Sequence, residues 1–267
     1  MQKKLFNKYT AIAMTDKGLV RDHNEDSILV DEKLALLLVA DGMGGHQAGE
    51  VASKEAIKVI QQMLDLQQGP KKGQTWLTQL IHRFKKEDID ISKKTNAIER
   101  ALAEANHHIY QLNVERNAGG GSGMGTTIAG CQLISADSMV VFHIGDSRVY
   151  RCRRGKLEML SKDHSAIQAW HDNDCMGDMP TSNIILRAVG PFSEVAADIQ
   201  VVTIMKGDSF LICSDGLTDL VDDEAIEKVM QEVDARKLEV LSQKLLNMAL
   251  EQGGRDNVSV IMLANNQ

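Results

Sequence analysis

The stretch Leu36 to His46, LLLVADGMGGH, constrains the chain more than any other. Five apolar residues in a row, Leu36 to Ala40, read as a strand covered on both faces, because a half-exposed strand would alternate. The run stops abruptly in Asp41, Gly42, Met43, Gly44 and Gly45. Glycines let the backbone turn sharply and leave its carbonyls open to a ligand, while a carboxylate is pushed out at the strand end. An acid fixed there is costly unless something cationic meets it. One such acid is compatible with an ordinary turn. The chain, however, repeats the device.

A strand over Met139 to Ile144 ends in Gly145-Asp146-Ser147-Arg148, and Val149 to Arg151 returns as its hairpin partner. Another apolar strand, Ser209 to Ser214, closes in Asp215-Gly216. Near the C-terminus, Gly253-Gly254 end a helix carrying Leu238, Leu241, Leu245 and Ala249. Arg255-Asp256-Asn257 then lead into a last strand, Val258 to Leu263. At the other end, residues 9–14 read as a first strand, and Lys17-Gly18 turn into a second around Leu19 to Val30. That segment carries the polar cluster Arg21-Asp22-His23-Asn24-Glu25-Asp26-Ser27. A solvated loop is the plain reading of such a charge run. Because Ser27 to Val30 follow at once as strand, Glu25 and Asp26 are expected at or inside a sheet.

Between these strands the period changes. Ala48 to Leu66 is predicted helical, with Ala52, Ala56, Val59 or Ile60, and Met63 on one face. Asn96, with Glu99 three residues on, reads as the cap of a second helix whose apolar face is Ile98, Leu102, Ala105, Ile109 and Leu112. His107 and His108 on that helix have no acid or Cys at ligand spacing and read as surface residues. Residues 67–94 form a polar insert broken by Gly69-Pro70 and Gly73, in which Trp76, Leu77, Leu80, Ile81 and Phe84 fit a short amphipathic helix. The loop Ala118 to Gly125 lacks the closing Gly-Lys-Ser/Thr of a Walker A sequence. Residues 161–183 look irregular, and the His171, Asp172, Asp174, Cys175 group matches no zinc spacing, so a mobile surface loop is expected. A helix starts at Asp222 or Asp223 and runs through Val233. Antiparallel-looking strands at both ends, with paired helices between and after them, predict an α+β fold of two packed sheets covered by helices.

Composition narrows the function classes. With 267 residues and a net charge of −7, the chain has no basic run suited to a nucleic-acid groove. No segment approaches the ~20 apolar residues of a membrane helix, and Thr15-Asp16-Lys17 cut short the apolar run that a signal peptide would need. Cys131, Cys152, Cys175 and Cys213 lie far apart without CxxC pairing, as expected of reduced thiols in a cytoplasm. None of them begins a CxxxxxR pattern, which excludes a cysteine phosphatase.

Asp41, Asp146, Asp215 and Asp256 thus stand at strand ends, with Glu25 and Asp26 near the start. Clustered carboxylates repel one another, and their pKa values rise unless cations neutralise them. No His or Cys recurs beside them, so the donors are oxygens and the expected cations are hard, Mg2+ or Mn2+. Several carboxylates can hold two ions about 3.5–4 Å apart, with a shared water that serves as nucleophile. Arg21 is suited to a tetrahedral anion through paired hydrogen bonds. The set points to metal-assisted hydrolysis of a phosphate ester.

The ordered motifs Arg21-x-x-Asn24-Glu25-Asp26, Asp41-Gly42-Met43-Gly44-Gly45-His46-x-x-Gly49-Glu50, Gly123-Met124-Gly125-Thr126-Thr127, Gly145-Asp146-Ser147-Arg148, Asp163-His164-Ser165, Ser214-Asp215-Gly216-Leu217 and Gly254-x-Asp256-Asn257 resemble those of metal-dependent PP2C-type protein serine/threonine phosphatases, the bacterial branch in particular. The resemblance spans about Tyr9 to Leu263. It implies one catalytic domain over 1–267, a central β-sandwich flanked by helix pairs, and metals in a cleft at one edge. Asp41, Asp215 and Asp256 match the core ligands, with the Gly42 carbonyl serving the second ion. By the same resemblance Glu25 holds that ion's water, Asp26 orients the attacking water, and Arg21 binds the phosphate. Asp146 matches the ligand of a third ion, and Asn183 is a candidate in the variable flap, 161–189. Met43 stands where many eukaryotic members have His, and His46 reads as structural. Thr126 and Thr127 are expected to hydrogen-bond behind the acids, Asp163-His164-Ser165 to form a turn, and Cys213 to be core.

Implied partners are phosphorylated proteins and a cognate serine/threonine kinase, for a cytoplasmic monomer. Two alternatives remain: a silent pseudophosphatase that binds phosphoproteins, although none of the metal acids is missing, and an esterase for small phosphoesters.

Overall fold

In the computed structural model, which describes residues 2–5, 8–45, 48–66, 91–116, 118, 123–180 and 184–265, the run Leu36–Ala40 is strand β4 with all five residues buried. Its alternation is between two cores, not between core and water. Leu36, Leu38 and Ala40 pack toward helices, while Leu37 and Val39 face the other sheet. Each large aliphatic side chain buried this way is worth about 1.5–3 kcal/mol, which explains why no polar residue interrupts the run.

β4 belongs to a five-stranded antiparallel sheet ordered β11 (Asp198–Thr203), β8 (Ser138–Ile144), β7 (Ile128–Leu133), β4, β3 (Ser27–Asp31). The facing six-stranded sheet runs β1 (Gln2–Leu5), β2 (Tyr9–Asp16), β13 (Val258–Asn265), β12 (Ser209–Cys213), β9 (Arg148–Arg153), β10 (Lys156–Met159). A two-residue pair, β5 (Gly42–Met43) with β6 (Gly125–Thr126), sits at the end of β4. Helices α1 (Ala48–Leu66) and α2 (Ile91–Glu115) cover the five-stranded sheet. The single turn α4 (Asp215–Thr218), α5 (Asp223–Met230) and α6 (Leu238–Glu251) cover the other. The layers are therefore helix, sheet, sheet, helix, an α+β sandwich as expected from the sequence.

Several local expectations need correction. The second strand spans Ser27–Asp31 only, and residues 19–26 form a loop. Leu19 donates its N–H to the Gly254 carbonyl at 2.8 Å, which pulls this segment out of the ladder. Asn96 is not a cap, because α2 already runs from Ile91 through residues with no helix breaker. The flap is not wholly irregular: Ser165 accepts the Gln168 N–H and caps a short helix, α3 (Ala166–Asp172). β1, β10 and β11 carry no strong sequence signal; all three are edge strands, where one side of the ladder is open. Helix α5 ends at Met230, short of Val233. The amphipathic stretch around Trp76, His46 and Asn183 all lie outside the described residues.

Candidate active site

The acids meet at one edge of the sandwich because antiparallel pairing brings together strand ends that are far apart in sequence. β13 pairs with both β2 and β12, so Asp256 before β13, Asp215 after β12 and the Arg21–Asp26 loop after β2 share that edge. Asp41 arrives from the second sheet at the end of β4. Two close approaches require glycine. A Cβ on Gly42 would collide with the Gly49 carbonyl, and one on Gly49 would press on Glu25 Oε2 at 2.8 Å. That glycine contact seats the start of α1 against β5 and brings the Glu25 carboxylate beside it.

The backbone of Asp41 is locked from behind. Its N–H donates to Thr127 Oγ1 (3.0 Å), and its carbonyl accepts from the Thr127 N–H and Thr126 Oγ1, both at 2.8 Å. Thr127 Oγ1 lies 2.7 Å from Ser147 Oγ, which ties the ends of β4 and β8 together. The two threonines thus hydrogen-bond behind the acids as expected. Asn257, to which the sequence reading gave no role, clamps the opposite loop. Its Oδ1 accepts the Glu25 N–H (2.8 Å), while Nδ2 donates to the carbonyls of Lys17 (2.8 Å) and His23 (2.9 Å).

The carboxylates perturb one another strongly. Burial, then the charges of Asp26 and Asp215, hold Asp41 well above the usual carboxylate range. Asp41 and Asp215 stand close enough to act on each other directly, and the proximity raises Asp41 while it lowers Asp215. Burial raises Asp215 to about 6, aided by Asp219 and Asp256. Burial likewise raises Asp26 to about 7 against the hydrogen bonds of Ser259 and Ser214. Asp146 is raised to about 7 by burial and by Asp215 and Asp163. Asp219 was not singled out in the sequence. It lies four residues after Asp215 on the α4 turn, the spacing that puts two side chains on one side. Arg21 places Nη2 2.6 Å from Asp256 Oδ2, and this bond raises its pKa further. Its side chain is 52% exposed, so the rest of the guanidinium fork faces solvent.

These acids fit a pair of hard cations. Asp26 Oδ1 and Asp215 Oδ1 are buried with no hydrogen-bond partner among the described residues. Every donor in the cluster is oxygen, and the raised pKa values are those expected where positive charge is lacking. A second group, His143, His164 and Asp198, brings three metal-capable atoms within 4.8 Å. It behaves differently. The Gly145 N–H donates to His164 Nδ1 (3.1 Å), which leaves the ring proton on Nε2, 3.4 Å from Asp198, where Arg187 also pairs at 3.1 Å. Burial, with His143 and Arg187 beside it, lowers His164 to about 4. The ring is thus a neutral bracket between the flap and the Gly145–Asp146 turn. In the His171–Cys175 group Cys175 Sγ lies 3.6 Å from His171 Nδ1, while Asp172 pairs with Lys162 at 2.8 Å.

Comparison with known proteins agrees with this fold and cleft. A family model described as protein phosphatase 2C matches residues 19–251, and the chain belongs to that family. The serine/threonine phosphatase stp of Listeria innocua is 31% identical over 264 residues, covering 94% of each chain. PstP of Mycobacterium tuberculosis, a serine/threonine protein phosphatase, is 34% identical over 255 residues, 94% of this chain and 44% of that one. The solved catalytic domain of PstP in complex with two manganese ions superposes with a TM-score of 0.75 at 30% identity, covering 96% of this chain and 98% of that one.

Proposed function

We propose that this chain hydrolyses phosphoserine and phosphothreonine in proteins, using two Mg2+ or Mn2+ ions held by Asp41, the Gly42 carbonyl, Asp215 and Asp256. The observation that carries this reading is the convergence of buried, mutually repelling carboxylates on one edge, with Arg21 beside them. Bound there, such ions neutralise the acids and lower the pKa of a water toward neutrality. Asp26 would orient the attacking water and take one of its protons as the water oxygen bonds to phosphorus and the bond from phosphorus to the serine or threonine oxygen breaks, that oxygen taking a proton from water in the open cleft to leave as the alcohol. Arg21 turns its fork from Asp256 to the phosphate oxygens, and Glu25 supports water on the second ion. Asp146, beside Asp215 and Asp219, is assigned to a third, weaker ion, while Asn183 stays a flap candidate on sequence grounds alone. Residues from both ends of the chain contribute to the cleft, which favours one catalytic domain. A serine/threonine kinase must supply such a substrate. A cytoplasmic setting and a monomeric state complete the proposal; three buried cysteines without disulfides suit reducing conditions.

The test is turnover of a phosphothreonine peptide by metal-stripped protein titrated with Mn2+, beside Asp215→Asn. Activity that appears with metal and collapses in the variant supports the reading. Turnover of a small aryl phosphate but no phosphopeptide would move the assignment to small esters. Metal binding with neither activity would leave a binding module.

A further inference from the structure

Asp26 is enclosed by a ring of hydrogen bonds drawn from four chain segments. Ser214, directly after β12, donates from Oγ to Asp26 Oδ2 at 2.8 Å. The same Ser214 Oγ accepts the backbone N–H of Ser259 at 3.0 Å. Ser259 and Thr15 are cross-strand partners between β13 and β2, and their hydroxyl oxygens lie 2.8 Å apart. Asn24 Nδ2 donates to Thr15 Oγ1 (2.8 Å), and Asn24 Oδ1 accepts the N–H of Asp26 itself (3.1 Å). Ser214 and Ser259 are fully buried and Asp26 nearly so.

Hydroxyls inside a sandwich edge are not what packing alone selects, since an alanine there would leave no polar atom to satisfy. What the ring achieves is asymmetry. Oδ2 of Asp26 is held by a buried donor, whereas Oδ1 is buried without a hydrogen-bond partner among the described residues. A carboxylate pinned at one oxygen and through its own N–H has little rotational freedom, so its other oxygen is presented at a fixed angle.

We propose that Ser214 and Ser259, backed by Thr15, are positioning residues that aim Asp26 Oδ1 at the attacking water. This rests on the phosphatase reading above. The residues touch neither substrate nor ion; they act through Asp26.

Ser214→Ala is expected to lower kcat on a phosphothreonine peptide roughly 10–100-fold, the usual loss for a supporting hydrogen-bond partner. KM and Mn2+ affinity by calorimetry should change by less than about threefold, because neither the phosphate contact nor the ion ligands are altered. Ser214→Thr, which keeps the hydroxyl, should recover most of the rate. In an Asp26→Asn background, Ser214→Ala should cost little further, since its effect passes through a carboxylate already removed. Thr15→Val, at the exposed end of the ring, gives a second readout of the same pattern if Ser214→Ala does not fold. An unchanged kcat in Ser214→Ala, or in Thr15→Val where that variant stands in, overturns the proposal. So does a loss that adds in full to that of Asp26→Asn, or one that follows Mn2+ affinity. A wild type that turns over no phosphopeptide would instead remove the phosphatase reading, and this inference with it.

Discussion

The chain treats two sets of buried carboxylates in opposite ways. Asp163 is met by Arg148, whose Nε and Nη2 make three contacts of 2.6–3.1 Å with its carboxylate while Nη1 bonds Tyr150. Asp208, fully buried, has the same bidentate answer from Arg153. Asp26, Asp41 and Asp215 have Arg21 at their rim, on Asp256, and burial together with neighbouring carboxylates raises the pKa of all three. Where a carboxylate fastens the scaffold, the sequence supplies its own guanidinium. Where carboxylates gather at the cleft, the compensating charge is left to a ligand. The difference separates a structural ion pair from a binding site without reference to any ligand.

The sharpest way to break this comparison is to neutralise one cleft acid. Asp41→Asn should lower kcat about a thousand-fold or more, a loss of several kcal/mol of charge stabilisation, yet raise the melting temperature of metal-free protein. A variant that melts lower than wild type under EDTA would show that the cleft acids are not frustrated. On the scaffold side, Arg148→Ala leaves Asp163 buried and alone. Urea unfolding should report a loss of about 3–5 kcal/mol, and pairing it with Asp163→Ala should recover much of it. A single-variant loss under about 1 kcal/mol would make the two regions equivalent. The smallest effect is in the pH dependence. The folded pKa values of Asp26, Asp146 and Asp215, at about 7, 7 and 6, lie above the carboxylate norm. The stability these groups contribute is therefore full below the unfolded value and lost as pH rises through about 6–7. Melting curves of EDTA-treated protein should fall across this window more steeply than those of Asp215→Asn, and saturating Mn2+ should abolish the difference. Parallel curves would sink the assignment of these shifts to the cluster.

Much of the scaffold was legible because the patterns that encode it are local. A five-residue apolar run ended by Asp-Gly reads as a strand buried on both faces, and three-and-four spacing placed α1, α2 and α6. The recurrence of Gly and Asp at strand ends marked the acids. What could not be read was anything that depends on register between distant strands. The loop at residues 19–26 reads as strand until Asn257, more than 230 residues later, takes its backbone groups. The helix at 166–172 hid in a polar segment because a single capping serine and a tertiary anchor, the Ala166 N–H on the Ile184 carbonyl at 2.8 Å, define it. The sequence set Asp146 among the strand-end acids and Asp163 in a turn, but only packing puts the Arg148 guanidinium on Asp163. Residue type and spacing by themselves determined which chemistry this chain can perform, because oxygen donors and strand-end glycines are written locally. Which carboxylates crowd one another, which are neutralised, and which hydroxyl holds Asp26 were decided by the tertiary structure, because burial and charge contact exist only once the two sheets have closed.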